Sequence, residues 1–467
     1  MQSNDPIQPD PAKQREFATR AVERLRQAGH IAYWAGGCVR DQVLGRVPKD
    51  YDVATSAQPE AVRQLFGPRR TYAIGAAFGV ITVVGPPGAG QVEVATFRRD
   101  VEYRDGRRPE AVVFSEPRED ALRRDFTING LFYDPATGEV IDYVGGQADL
   151  AARVVRAIGD PRARFAEDKL RMLRAVRFAA TFDFALDPAA GTAVRDMARQ
   201  IEVVSAERVA HEMRLMLVSP GRVRALELLA ETGLLEVTLP EVAALRGVPQ
   251  HKPLYPQHDL WDHTLLVLGL LRKPTFELAL AALLHDAGKP RAMSQARGKL
   301  TFYEHETIGA TIAARLCQRW RLSTRERQQI TWLVRHHQYL SCARQMRWAT
   351  LQRTLTHAGV AELLDLHEAD ALASTGDTAD VEYCRHLLQM PLEDFNPPAL
   401  VTGHDLIRHG LSPGKQFQRL LDLVRDAQLE KRIRSKRDAL ALVDELLRDG
   451  VPPADAAPPV DKPDHGA

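Results

Sequence analysis

Two aspartates with one residue between them, Asp50 and Asp52, follow a glycine pair, Gly36-Gly37. On a strand, residues two apart project to the same face, so the two carboxylates point together and Tyr51 points away. Like charges that close repel, and they become tolerable when a divalent cation neutralises them. Carboxylates together with phosphate oxygens suit Mg2+. Alone, an Asp-x-Asp pair reads as a solvated turn. Its neighbours change that reading. Glu93, between Val92 and Val94, is either a third ligand on a later strand, completing a two-metal site, or an edge-strand residue facing water. Gly36-Gly37 sits between an apolar run and Val39-Arg40-Asp41, a tight turn into a helix whose first amides can meet phosphate oxygens. Arg123-Arg124-Asp125 places two guanidinium groups where they could hold a triphosphate or an RNA backbone.

A second set of residues also points to metal chemistry. His263 opens an apolar helix over 264–271, and His285-Asp286 ends another, followed by the helix-stopping Gly288-Lys289-Pro290. His305, the pair His336-His337 and Asp370 come after them. Imidazoles and carboxylates on apolar helices ligate transition metals, because an unpaired buried Asp286 would be costly.

These residues need elements to hold them. A helix is predicted over 14–29, ended by Gly29, then strands over 30–35, 51–55, 80–84 and 91–97, with a helix over 59–66 between the second and third. A further strand pair, 111–115 and 140–143, flanks this small mixed α/β region, and from about Arg162 to Arg448 helical spacing dominates. The expected fold class is therefore multidomain: a small mixed-sheet α/β head, followed by all-α segments. Boundaries are set at 14–150 for the head, 151–250 for a helical neck and body, 251–378 for a helical metal domain, 395–450 for a C-terminal helical segment and 451–467 for a disordered tail.

At 467 residues, with 45% hydrophobic and 26% charged positions and a mean hydropathy of -0.28, the chain is long enough for several cores and is neither disordered nor membrane-embedded in composition. The polar N-terminus lacks the pattern of a signal peptide, so a cytoplasmic location without membrane association is expected. Four scattered cysteines suggest neither a disulfide framework nor a zinc ribbon. Net charge is only +1, yet 151–178 carries eight basic residues against three acidic ones and 401–440 carries nine against five. Local excess on a neutral chain implies an anionic partner met at defined places.

The ordered motifs Gly36-Gly37-Cys38-Val39-Arg40-Asp41, Asp50-Tyr51-Asp52-Val53-Ala54-Thr55, Asp105-Gly106-Arg107-Arg108-Pro109, Arg123-Arg124-Asp125-Phe126-Thr127-Ile128-Asn129 and Glu167-Asp168-Lys169-Leu170-Arg171 through Phe178 resemble the head and neck of class II tRNA nucleotidyltransferases and bacterial poly(A) polymerases. One departure is Gly130, where that family usually has Ala. The resemblance implies that Asp50 and Asp52 hold two Mg2+ ions and that Gly37 and Arg40 contact the nucleotide. It further implies that Arg124 and Asp125 contact triphosphate and ribose, that Asp168 and Arg171 read the incoming base, and that Arg174 and Arg177 support the phosphates. Three-residue spacing would set Asp168, Arg171 and Arg174 along one side of a helix. Implied partners are ATP, CTP and tRNA, met at its 3′ end and acceptor arm. The reaction would be attack of an RNA 3′-hydroxyl on the α-phosphate.

The histidine set resembles the HD phosphohydrolase superfamily, which implies His263, His285, Asp286 and Asp370 as ligands of a transition metal such as Mn2+ or Ni2+. By the same resemblance His305 with His336 or His337 would add a second metal and Lys289 would hold a phosphate. The segment from Gly403 to Ile433 is similar to the C-terminal RNA-binding region of the same enzymes, with Lys415, Arg419, Lys431, Arg432, Lys436 and Arg437 meeting phosphates. CCA addition to tRNA with an accessory hydrolase is the expected function. A poly(A), CC-only or A-only enzyme, and an HD hydrolase with an RNA-gripping head, are the alternatives.

Overall fold

A computed structural model of the chain describes residues 9–75, 79–103, 109–250, 254, 259–296, 299–391 and 395–451. These fall into two compact units, one formed by residues up to 250 with 258–330, the other by 251–257 with 331–467.

The first unit begins with helix Pro11–Gln27, capped by the Asp10 carboxylate at the amides of Ala12 and Lys13. Its buried Ala18, Ala21, Val22 and Leu25 recur at helical spacing, which is why this segment lies on a sheet. Strands β1 (Ala32–Ala35), β2 (Asp52–Thr55), β3 (Thr71–Gly75), β4 (Val80–Val84), β5 (Gln91–Thr96), β6 (Arg98–Tyr103), β7 (Pro109–Phe114), β8 (Phe132–Asp134) and β9 (Glu139–Ile141) follow. Seven of them form one sheet in the order β3-β4-β5-β2-β1-β8-β9, while β6 and β7 pair only with each other. Within the large sheet β2 and β5 run parallel and every other neighbouring pair is antiparallel. The mixed-sheet head is thus as expected. Strand β3 was not anticipated.

Aromatic rings fill the core of the head. Trp34 on β1 meets Tyr51 edge-on at 4.9 Å and stacks on Tyr133 at 5.1 Å, and Phe97 meets Phe132 edge-on at 5.9 Å. From residue 146 the chain is mostly helical. Helix Leu170–Phe182 buries Leu170, Met172, Leu173, Val176 and Phe178 against helices Ala206–Leu217 and Arg222–Glu231. Helices Leu260–Leu270, Phe276–Leu284 and His305–Arg319 complete this unit's helical part.

The second unit is helical. Val360–Ser374 and Ala379–Leu388 pack together, and helices Gly403–Arg408, Lys415–Leu429 and Lys436–Asp449 enclose a small core of Val401, Leu406, Leu420, Val424, Ala439 and Val443. Among the described residues no helix is long and apolar enough to cross a membrane.

Gly130, the departure noted above, has a packing reason. A Cβ added there would lie 2.7 Å from Val144 Cγ2 and 3.1 Å from Ile158 Cδ1. Gly130→Ala is therefore expected to destabilise the first unit by about 1–3 kcal/mol, read as a lowered melting temperature. An unchanged melting temperature would mean these neighbours yield freely.

Candidate active site

The first site is built on two strands that run the same way. Parallel pairing sets Asp52 on β2 opposite Glu93 on β5, so both side chains project to one face of the sheet, a strand spacing of about 4.8 Å apart. Both are exposed. Asp50 precedes β2 in a bend, so the strand-alternation argument does not apply to it. Its charge nevertheless acts on Asp52. Partial desolvation, then the Asp50 and Glu93 carboxylates, push the Asp52 pKa up to about 7 against the opposing Arg124 guanidinium. Glu93 is not on an edge: β5 lies between β4 and β2. Three oxygen donors, one of them half-protonated at neutral pH through desolvation and its neighbours' charges, suit a hard divalent cation.

Gly36 adopts φ 76° at the end of β1, and its amide donates to the Leu131 carbonyl at 3.0 Å. A Cβ there would lie 2.9 Å from Arg124 Nη1, so glycine both makes the turn and admits the guanidinium. Helix Gly37–Val43 then carries Arg40 inward.

Behind the carboxylates the arginines are tied into one network. Arg40 donates to Asp41 at 2.7 Å and to Asn129 Oδ1 at 2.6 Å, with Phe182 under its guanidinium at 4.4 Å. Asn129 Nδ2 in turn donates to Asp125 Oδ1 at 3.1 Å. Arg124 is held by Asp120 Oδ2 at 2.9 Å and by the Asn129 carbonyl at 3.3 Å. Arg174 pairs with Asp125 at 2.6 Å and lies 3.7 Å from Glu212, to which Arg177 donates at 2.5 Å. Burial alone would raise the Asp125 pKa. The Arg174 charge and the bonds from Asn129, Arg174 and the Phe126 amide overcome it and hold Asp125 at about 2.

Asp168 and Arg171 do not share a helix face as their spacing suggested. Asp168 caps helix Pro161–Glu167 in extended conformation, and the next helix starts at Leu170. Its carboxylate takes a bidentate pair from Arg208, at 3.2 and 2.6 Å, while Arg171 donates to Glu167 at 2.5 Å and to the Arg164 carbonyl at 2.9 Å. The spacing rule failed because a helix break separates the residues. Arg208 and Glu212 were missed altogether. The available signal was Glu212 standing among Val209, Met213 and Met216 on the buried side of an amphipathic helix. Arg174, Arg177, Arg208 and His211 line a hollow of about 360 Å³. The segment 104–108 lies outside the described residues.

The second site begins at the C-terminal end of helix Phe276–Leu284. Within the first unit His285 Nε2 lies 3.4 Å from His263 Nε2 and 3.3 Å from Asp286 Oδ2, and His305 Nε2 lies 3.6 Å from Asp286 Oδ1. The Nδ1 atoms of His285 and His305 donate to the Ala282 and Phe302 carbonyls at 2.7 and 2.8 Å, which aims their Nε2 lone pairs at Asp286. Converging lone pairs around a buried carboxylate fit a cation. Lys289 already pairs with Asp286 at 2.6 Å rather than standing ready for a phosphate. In the second unit Asp370 is buried and accepts from Ser374 Oγ at 3.0 Å, and His337 is fully buried with Nδ1 on the Val334 carbonyl at 2.8 Å. His336 instead turns its ring onto Trp332 at 4.9 Å. Of the basic residues proposed for the C-terminal segment, Lys436 is spent on Asp405 at 2.6 Å and Arg432 on Glu430 at 3.0 Å.

Sheet, carboxylates and arginine network together make a mixed-sheet head joined to a helical body. Residues 32–156 match the poly A polymerase head domain, 183–245 the probable RNA and SrmB-binding site of polymerase A, and 260–375 the HD domain. A CCA-adding enzyme of Geobacillus sp. (strain WCH70) is 45% identical over 214 residues, 46% of this chain and 52% of that protein. One from Lactobacillus helveticus (strain DPC 4571) is 29% identical over 425 residues, covering 91% of this chain and 95% of that one. The crystal structure of the Bacillus stearothermophilus CCA-adding enzyme in complex with CTP superposes with a TM-score of 0.71 at 28% identity, covering 93% of this chain and 98% of that one. The match to the Geobacillus protein therefore spans about half of that relative's length. Three family models thus match in order along the chain, a poly A polymerase head domain, a polymerase A RNA-binding segment and an HD domain.

Two outcomes follow from this geometry. Because its folded pKa is raised, Asp52 stabilises the metal-free protein fully only below about pH 4, and that contribution is lost as pH rises through about 7. Magnesium chloride should accordingly raise the melting temperature more at pH 8 than at pH 6, and Asp50→Asn should move that dependence to lower pH. A pH-independent shift would contradict the crowding. Glu212→Ala should cost about 1.5–3 kcal/mol by leaving the half-buried Arg177 guanidinium without its carboxylate, Arg174 keeping Asp125, measured by chemical denaturation. A loss below about 0.5 kcal/mol would contradict the pairing.

Proposed function

We propose that the chain adds C, C and A to the 3′ end of tRNA from CTP and ATP, without a template, and that its HD domain is an accessory phosphohydrolase. The observation that carries the first reading is the crowding of Asp52 by Asp50 and Glu93 beside Arg124. The CCA-adding names of the relatives favour this reading over polyadenylation.

In this mechanism Asp50, Asp52 and Glu93 hold Mg2+. An ion held by these carboxylates would supply a Lewis acid for the RNA 3′-hydroxyl and a positive charge for the departing pyrophosphate. Asp52 must give up its proton to ligate, which it does easily near neutrality. Arg124 contacts the triphosphate and Asp125 the ribose. Arg40 is 8% exposed and its donors are committed to Asp41 and Asn129, so it acts at the nucleotide chiefly by orienting Asn129 and the amides around Gly37. Arg174 and Arg177 set the potential at the phosphates. Asp168 and Arg171 read the base by exchanging Arg208, Glu167 and main-chain carbonyls for its edge. A wrong base leaves those groups unpaired, at about 1–3 kcal/mol each.

In the HD domain His263, His285 and Asp286 hold a transition metal such as Mn2+ or Ni2+, and His305 lies against Asp286 as ligand of a second. Asp370 and His337 enter this set on the family pattern. Lys289 meets a substrate phosphate only after leaving Asp286.

The test is sequencing of the 3′ ends made from a tRNA transcript lacking its last three nucleotides, with CTP and ATP supplied. The expected product ends in CCA, and long A-tails without C would refute it. Asp52→Asn should lower incorporation at least about 100-fold while sparing hydrolysis of a cyclic phosphodiester, and His285→Ala should do the reverse. Equal loss of both activities in either variant would break the assignment of two separate sites.

A further inference from the structure

The second unit carries a stack of rings that neither site uses. Trp332 stacks on His357 with ring centroids 3.7 Å apart and planes 11° from parallel, and His336 also stacks on Trp332 at 4.9 Å and 30°. Tyr339 meets His336 edge-on at 5.7 Å. The stack is held in place from the backbone. The Gly359 amide donates to His357 Nδ1 at 3.0 Å and His336 Nδ1 donates to the Trp332 carbonyl at 2.8 Å, so two of the rings have their orientation fixed by main-chain bonds. His357 is exposed although Trp332 stacks on one face of its ring, and with Nδ1 accepting from the Gly359 amide its ring N–H is at Nε2. Tyr339 is 41% exposed. Arg335, also exposed, adds a positive charge that His336 senses.

A rigid aromatic face, a ring N–H at its edge and a guanidinium beside it are the parts with which proteins hold an unpaired nucleobase and its phosphate. An apolar partner would leave the cation and the imidazole N–H unused, and an acidic peptide would leave the ring face unused. We propose that His357, backed by Trp332, is a stacking platform for one unpaired base of the RNA substrate, with Arg335 on the adjoining phosphate. This rests on the reading of the chain as an RNA-acting enzyme and adds a contact remote in sequence from the nucleotide-binding motifs.

The test uses the full-length protein and a tRNA transcript lacking its last three nucleotides, with affinity measured by filter binding at several salt concentrations. His357→Ala should weaken binding about tenfold with the salt slope unchanged, and His357→Tyr should restore it. Arg335→Ala should reduce the salt slope by about one. Abasic replacement at each unpaired nucleotide of the transcript in turn should find one that costs as much as His357→Ala and adds nothing to it. Because His357 is exposed, the melting temperatures of its variants should match the wild type. Equal affinity of wild type and His357→Ala overturns the platform, as does a loss that His357→Tyr shares, or a wild type that does not bind the transcript. CTP incorporation by the wild type is scored separately: its absence refutes the polymerase reading, while the binding series still decides the platform.

Discussion

Repulsion among Asp50, Asp52 and Glu93 is the constraint on which the head depends. Parallel pairing of β2 with β5 forces Asp52 and Glu93 to one face, and the bend before β2 brings the Asp50 charge to bear. A sheet selected for stability alone would not set two acids in register on adjacent strands. The cost is tolerable because Arg124 opposes it, and because a divalent cation would turn the three oxygens into ligands. Gly36 belongs to the same arrangement, since only a residue without a side chain lets Arg124 approach that closely.

The arginine network extends this arrangement into the helical body. From Arg40 through Asn129, Asp125, Arg174 and Glu212 to Arg177, each side chain bonds or faces the next, so helices 37–43, 170–182 and 206–217 are joined by charge-assisted contacts. Most of these cations are already neutralised within the protein. For the proposed nucleotide this would be a preorganised surface whose guanidinium groups exchange partners, with little left to order on binding. The histidine site follows a similar logic on a different element. Main-chain carbonyls fix the tautomers of His285 and His305, and the resulting lone pairs meet at Asp286.

Much of this was legible in the sequence, and what was not has physical causes. The glycine turn, strands β1, β4 and β5, and the helix following Gly36 carried local signals strong enough to read, since turn chemistry and β-branched runs are short-range. Strand β3, Thr71–Gly75, carries β-forming Thr71, Tyr72 and Ile74 but is short and ends in glycine, and its pairing with β4 shifts register between Tyr72 and Gly75. Glu93 could not be placed as edge or interior from a single strand, because strand order is a long-range property. The Asp168–Arg171 spacing misled because the helix break at Asp168 leaves no mark in spacing alone. Arg208 took its partner from elsewhere in the fold, which no local pattern announces, whereas His336 stacks on Trp332 four residues earlier on its own helix, a spacing the sequence does carry.

The most direct measurement of the central claim is anomalous diffraction from crystals of this protein soaked in Mn2+. A peak bounded by Asp50, Asp52 and Glu93, lost on Asp52→Asn while any density at the histidines persists, is the predicted result. A map with no metal at those carboxylates in the wild type, under soaking that fills the histidine site, would contradict the account.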